Sequence, residues 1–149
     1  MQAVIVNSGN ANACTGKQGL LDAQAMQQLA AERLNIDPSL VGVASTGVIG
    51  EIMKLAPIVQ GLPKMEPKQD LESAIDFAQA ILTTDTVMKN TQYSTEIDGK
   101  EVIIAGTAKG SGMIEPNMAT MLGFITTDAN IESEHFQAAL SHLTDITFN

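Results

Sequence analysis

At 149 residues the chain is long enough for a domain with its own apolar core. It is 44% hydrophobic but only 3% aromatic, so that core has to be built from Ala, Val, Ile, Leu and Met. Lys and Arg total 8 against 17 Asp and Glu, and the net charge of −9 argues against nucleic acid and anionic membranes as partners. The single cysteine, Cys14, cannot close an internal disulfide, and no cluster has the spacing of a zinc site. No stretch reaches the roughly 18 apolar residues of a membrane span, and the opening MQAVIVNSGN lacks the charged start of a signal peptide. A cytoplasmic protein is the expectation. Both ends read as interruptions of a longer chain. The first residues enter a core strand directly, and Asp145 to Asn149 close on an apolar run without a cap.

In chain order, residues 2–6 (QAVIV) read as a short buried strand. Asn7 to Gly16, dense in small and amide residues, reads as a tight loop bonded to its own backbone. The functional alternative is a rim presenting amides to a ligand. Thr15 and Gln18 have the spacing of a capping box. The helix behind them, about 17–34, sets Leu21, Ala25, Leu29 and Ala30 on one face, widened by Met26 and Leu34. Asn35 to Pro38 break it, and Leu40 to Ala44 form a second strand. The following run Ser45-Thr46-Gly47-Val48-Ile49-Gly50-Glu51 is a glycine-containing turn. Its backbone N–H groups are raw material for an oxyanion hole, although many strand-to-helix turns read alike.

Residues 55–62 suggest a short helix with Pro57 near its start, and 61–67 a surface connection. A longer helix spans about 69–82, with Leu71, Ile75, Ala78 and Ile81 facing inward. Thr83-Thr84-Asp85-Thr86 leave its C-terminus, either as a bonded turn or as hydroxyls grouped to hold a ligand. Residues 93–97 and 101–105 alternate as strands joined by Asp98-Gly99, a strong hairpin signal. Gly106 to Gly112 reads as a flexible run that a packed strand tolerates poorly. The full GxxxxGK[ST] phosphate loop is absent there. From Ala119 to Ile125 the composition turns apolar, as in a buried strand. A last helix from about Ser133 puts His135 and His142 on one face; without a third ligand, that face reads as solvated rather than metal-binding. The alternating elements predict a mixed α/β chain, with residues 1–149 forming a single partial domain.

The stretch from Lys109 to Asp128 carries the chemistry. Ala119-Thr120 sits where a loop meets the apolar run. If that bond were cut, Thr120 would hold a hydroxyl and a free α-amine together, and the amine can act as base for the hydroxyl. An unperturbed α-amine has a pKa near ~7.8, so roughly a tenth or more is neutral at pH 7, whereas a lysine at ~10.4 is almost wholly charged. The plainer reading is a threonine that simply favours strand.

Four segments taken together resemble one family: VNSGNANACTG at Val6 to Gly16, STGVIGE at Ser45 to Glu51, TTDT at Thr83 to Thr86, and KGSGMIEPNMATM at Lys109 to Met121. They are similar to the ornithine acetyltransferases, also called bifunctional glutamate N-acetyltransferases, of the cyclic arginine pathway. The resemblance implies a layered α/β/β/α fold, incomplete here. It also implies self-cleavage between Ala119 and Thr120, making 1–119 the end of a first (α) chain and 120–149 the start of a second (β) chain. Thr120 would then carry acetyl from N-acetylornithine to glutamate. Thr46 and Gly47 match the oxyanion-stabilising pair, and Thr83, Lys109 and Thr120 match substrate-contacting positions. An ammonium at Lys109 suits the carboxylate that both substrates carry. The resemblance implies no metal and no bound cofactor, acetyl-CoA as a further donor in some members, the remainder of the β chain as a partner, and an α2β2 heterotetramer. A self-cleaving aminopeptidase of related fold, usually with serine as nucleophile, and a non-catalytic assembly partner are the alternatives.

Overall fold

The computed structural model describes residues 1–112 and 121–148. The chain divides into two compact units, Met1–Thr83 and Thr84–Asn149.

In the first unit, β1 (Ala3–Asn10) and β2 (Val41–Val48) pair in parallel, with Ala3 opposite Val41 and Gly9 opposite Gly47. A parallel pair needs a crossover, and α1 (Gly16–Leu34) supplies it. Its end is set by Asn35, which adopts a left-handed conformation and donates its N–H to the last carbonyls of the helix, while Ile36 N–H reaches back to Ala31 O. A 3-10 turn, Pro38–Leu40, is capped by Asp37 and feeds β2. The core of the unit joins Ala30 and Ala31 of α1 to Val41 of β2, with Ala3, Ile5 and Ile36 packed around them. Small residues on the helix let it lie close to the two strands. Gln27 Nε2 also donates to Val41 O at 2.8 Å, satisfying the first carbonyl of β2.

Two further helices complete this unit, α2 (Leu55–Gly61) and α3 (Leu71–Ala80). Asp70 caps α3 by accepting from Ser73 N–H. Buried Ala78 and Ile81 fix the end of α3, and Ser8 Oγ donates to Ala80 O at 2.7 Å, tying β1 to that end.

In the second unit, β3 (Lys89–Ile97), β4 (Lys100–Lys109) and β5 (Leu122–Thr127) form an antiparallel sheet in the order β3-β4-β5. Asp98 and Gly99 both take positive φ, 51° and 74°, which is the twist a two-residue hairpin requires. All nine residues of β3 are exposed. The α4 helix (Ser133–Thr147) follows β5. No helix among the described residues is long and apolar enough to cross a membrane.

Several expectations are corrected. Thr15 makes no side-chain cap on α1; its hydroxyl is used on Asn12 Oδ1 and Gln18 is used on Asp22, so no capping box forms. The buried face of α1 is Gly19, Asp22, Met26, Ala30 and Ala31, whereas Leu21 is exposed. Met26 and Ala30 of the expected face are buried, Leu29 is half-buried, and Leu21 and Leu34 lie at the exposed margin. Leu71 is likewise exposed at the first turn of α3. The first strand continues through Asn10, the second through Val48, and β4 runs through Gly106 to Lys109. Gly106 is held in the sheet by partners on both sides, Thr91 and Ile125. Ala119 and Thr120 lie outside the described residues.

Met26 is fully buried and is one of the two largest such side chains. Met26→Ala should therefore destabilise the protein by about 2–5 kcal/mol, while Met26→Leu should cost less than about 1.5 kcal/mol. Urea unfolding midpoints of the two variants check this; equal midpoints would mean that Met26 is not a core anchor.

Candidate active site

The carboxyl end of the parallel pair is built from short polar residues that bond one another. Asn7 Nδ2 donates to Asn10 O, Asn10 Nδ2 to Glu51 O, and Asn12 Nδ2 to Gly19 O. Ala11 N–H donates to Val48 O and Gly50 N–H to Ala13 O. Asn12 and Cys14 both take positive φ, a conformation common for asparagine and rare for cysteine. The amides of this loop are thus spent on backbone, as the structural reading of Asn7 to Gly16 expects. They lock the loop around the end of β2.

Thr46 and Gly47 stand at that end. Thr46 is only 8% exposed. Gly47 has φ +130°, and a Cβ there would lie 2.3 Å from the carbonyl carbon of Gly9. The backbones of β1 and β2 approach so closely that no side chain fits between them, and the left-handed φ excludes other residues as well. The pair therefore has a fixed backbone at the carboxyl edge of parallel strands, where open α/β sheets commonly bind ligands.

In the second unit, Lys109 ends β4 and is only 4% exposed. A lysine is rarely buried unless its charge is compensated. The segment preceding β3 is stitched to the residues around Lys109. Thr84 Oγ1 and Ser111 Oγ lie 3.1 Å apart, and Asp85 Oδ1 accepts from Gly110 N–H at 2.8 Å and from Lys89 Nζ. Burial alone raises the pKa of the Asp85 carboxyl; the Lys89 hydrogen bond, the Gly110 N–H, and the charges of Lys89 and Lys109 outweigh it and hold the group below the usual aspartate value.

The sequence pattern of the ArgJ family matches the chain over residues 1–149. The chain belongs to the ArgJ family. Over all 149 of its residues it is 56% identical to the arginine biosynthesis bifunctional protein ArgJ of Halalkalibacterium halodurans and to that of Bacillus subtilis strain 168. It spans 36% of the length of each of these curated relatives. The crystal structure of the ArgJ protein from Bacillus halodurans matches it with a TM-score of 0.75 at 53% identity, covering 78% of this chain and 61% of that one. The mixed α/β class expected from the sequence agrees with this ArgJ match and with the parallel and antiparallel sheets observed.

Of the residues singled out by resemblance to the family, Thr46 and Gly47 are adjacent in β2 and Lys109 ends β4. Thr83 is exposed and follows α3. Among the described residues no group of three or more His, Cys, Asp or Glu could hold a metal ion. His135 is exposed beside Glu132, with 3.5 Å between their side chains. The groove lined by Leu29, Glu32, Arg33, Val59, Leu62 and Pro63 includes none of the predicted site residues. Asp85 was missed. The signal was present as the one acid within TTDT, but its partner Gly110 lies 25 residues away in sequence.

Two outcomes follow from this geometry. Gly47→Ala should lower stability by about 1–3 kcal/mol or more, from the left-handed backbone and the collision with Gly9; an unchanged thermal midpoint would sink that account. Asp85 contributes stability that is fully present above its unfolded pKa near ~3.9 and is lost as pH falls through its lower folded value. The stability gap between wild type and Asp85→Asn should therefore be wider at pH 6 than at pH 3, read from urea midpoints at the two pH values.

Proposed function

We propose that this chain carries part of an acetyltransferase of arginine biosynthesis, which moves acetyl from N-acetylornithine to glutamate. The family match across every residue carries this reading, and the names of the relatives, arginine biosynthesis bifunctional proteins, agree with it. In this reading the Ala119–Thr120 bond is cut by the protein itself. The new α-amine of Thr120 takes the proton of the Thr120 hydroxyl, whose oxygen attacks the acetyl carbonyl. Thr46 and Gly47 stabilise the resulting negative oxygen; their rigid backbone, fixed against Gly9, suits donors that must be in place before charge develops. The α-ammonium gives that proton to the departing nitrogen, ornithine leaves, and the amine of glutamate then attacks the acetyl-threonine ester, passing its proton through the α-amine to the threonine oxygen. That second attack regenerates the hydroxyl and releases N-acetylglutamate.

Lys109 holds the substrate carboxylate, and Thr83 is a further substrate contact. Acetyl-CoA is a further donor in those family members that also make N-acetylglutamate from it; the reaction runs in the cytoplasm without a bound cofactor, and the whole enzyme assembles as an α2β2 heterotetramer.

A second reading is favoured by one observation, that the chain spans 36% of its relatives' length. On that reading it supplies one part of a site and turns over nothing by itself, as an assembly partner does.

The test uses the full-length enzyme. Wild type should appear in mass spectra as two pieces divided between Ala119 and Thr120, and should transfer acetyl between N-acetylornithine and glutamate. Thr120→Ala should appear as one intact chain with transfer lost. Retained transfer in that variant would mean a different nucleophile, and peptide hydrolysis without transfer would favour an aminopeptidase. Applied to the 149-residue chain alone, the same mass measurement separates a competent precursor from an inert part.

A further inference from the structure

We propose that Asp85 is a positioning residue for Lys109, fixing where its ammonium stands to receive a substrate carboxylate. This rests on the reading of Lys109 as the substrate-facing cation.

The Asp85 side chain has no exposed surface, although the residue lies in the irregular segment before β3. One oxygen, Oδ1, serves both Gly110 N–H and Lys89 Nζ. The other, Oδ2, is buried without a hydrogen-bond partner. A carboxylate in that state is expensive, since desolvating a charge must be offset by nearby opposite charge. A turn alone does not need it. Asparagine could accept from Gly110 N–H at a far smaller desolvation cost.

The Lys89 hydrogen bond is the largest effect that favours the charge, and it reaches Asp85 from the wet side, since the Lys89 side chain is 44% exposed. From the buried side the positive charge of Lys109, itself 4% exposed, adds to it. Opposite charges on two buried side chains offset part of the cost of desolvating each. The backbone bond adds position to charge. Gly110 directly follows Lys109, so the Asp85–Gly110 contact pins the residue next to the ammonium's own backbone. The Thr84–Ser111 contact pins the next one. Lys89 sits opposite Ala108 in the β3–β4 ladder, so the far end of the same segment is fixed too.

The test is a double-mutant cycle in the full-length enzyme, with kcat and KM measured for N-acetylornithine. Lys109→Met and Asp85→Asn should each raise KM by about ten-fold or more, the usual effect of losing a charged contact. The double variant should match Lys109→Met alone, because Asp85 acts through Lys109. Multiplicative effects in the double variant would overturn the proposal. So would a lowered thermal midpoint in Asp85→Asn with KM unchanged, which is the pattern of a purely structural residue. An unchanged KM in Lys109→Met would remove the substrate-cation reading and this proposal with it; a raised KM there beside a normal Asp85→Asn removes this proposal alone. If Asp85→Asn does not fold, Lys89→Met loosens the same carboxylate from its exposed side. It should raise KM about two- to three-fold, and only when Lys109 is present; no change in KM would overturn the proposal.

Discussion

Everything proposed for the first unit depends on one approach of backbone to backbone, Gly9 against Gly47. Parallel pairing puts these two glycines opposite each other at the end of both strands, and the space between them holds no side chain. Thr46 is thereby presented at a strand end whose path cannot relax sideways. The asparagines beyond it reinforce the same point from outside, each giving its amide to a carbonyl that the departing chain would otherwise leave bare. Rigid donors are what an oxyanion site requires, since donors that must reorganise during reaction contribute less.

The second unit solves a different problem, that of keeping a cation out of water. Among its described residues only Lys109 and Gly110 are buried. Its sheet therefore does not serve as an ordinary apolar core around the lysine. It carries Lys109 at the end of its central strand, paired with Leu122 of β5, next to Gly110, whose N–H is held by Asp85. A buried lysine at a strand end, with a carboxylate acting on it, is an electrostatic arrangement before it is a packing one.

Features decided by neighbours in sequence were legible. The Asp98-Gly99 turn was plain because both positions need positive φ and those residues tolerate it. The Ser133 start of α4 and the order of elements followed from periodicity. Features decided by distant partners were not. Gly106 reads as a strand breaker alone, yet two flanking strands hold it in the ladder. Leu21 belongs to an apolar stripe, but the stripe does not say where its centre lies, and the buried face runs through Gly19, Asp22, Met26 and Ala30 instead. The Thr46-Gly47 segment was visible as a glycine turn, and its extended path through Val48 was set by β1. Its meaning came from four motifs considered together, none of which was specific alone. Asp85 stayed hidden because a carboxylate's role depends on what folds onto it, and nothing within TTDT names Gly110 or Lys109.

The bare outer rim of β3 has a consequence for colloidal behaviour. An unpaired strand edge is a template on which a neighbouring molecule can extend a sheet. Among the described residues that edge reads Lys89-Asn90-Thr91-Gln92-Tyr93-Ser94-Thr95-Glu96-Ile97, and every residue of it is wetted. Docking a foreign strand along it would strip water from the charges of Lys89 and Glu96 and from amides and hydroxyls between, with only Tyr93 and Ile97 as large apolar inducements. The sequence of β3 thus acts as a deterrent to self-association, leaving the hairpin free to be long without becoming a seed for fibres.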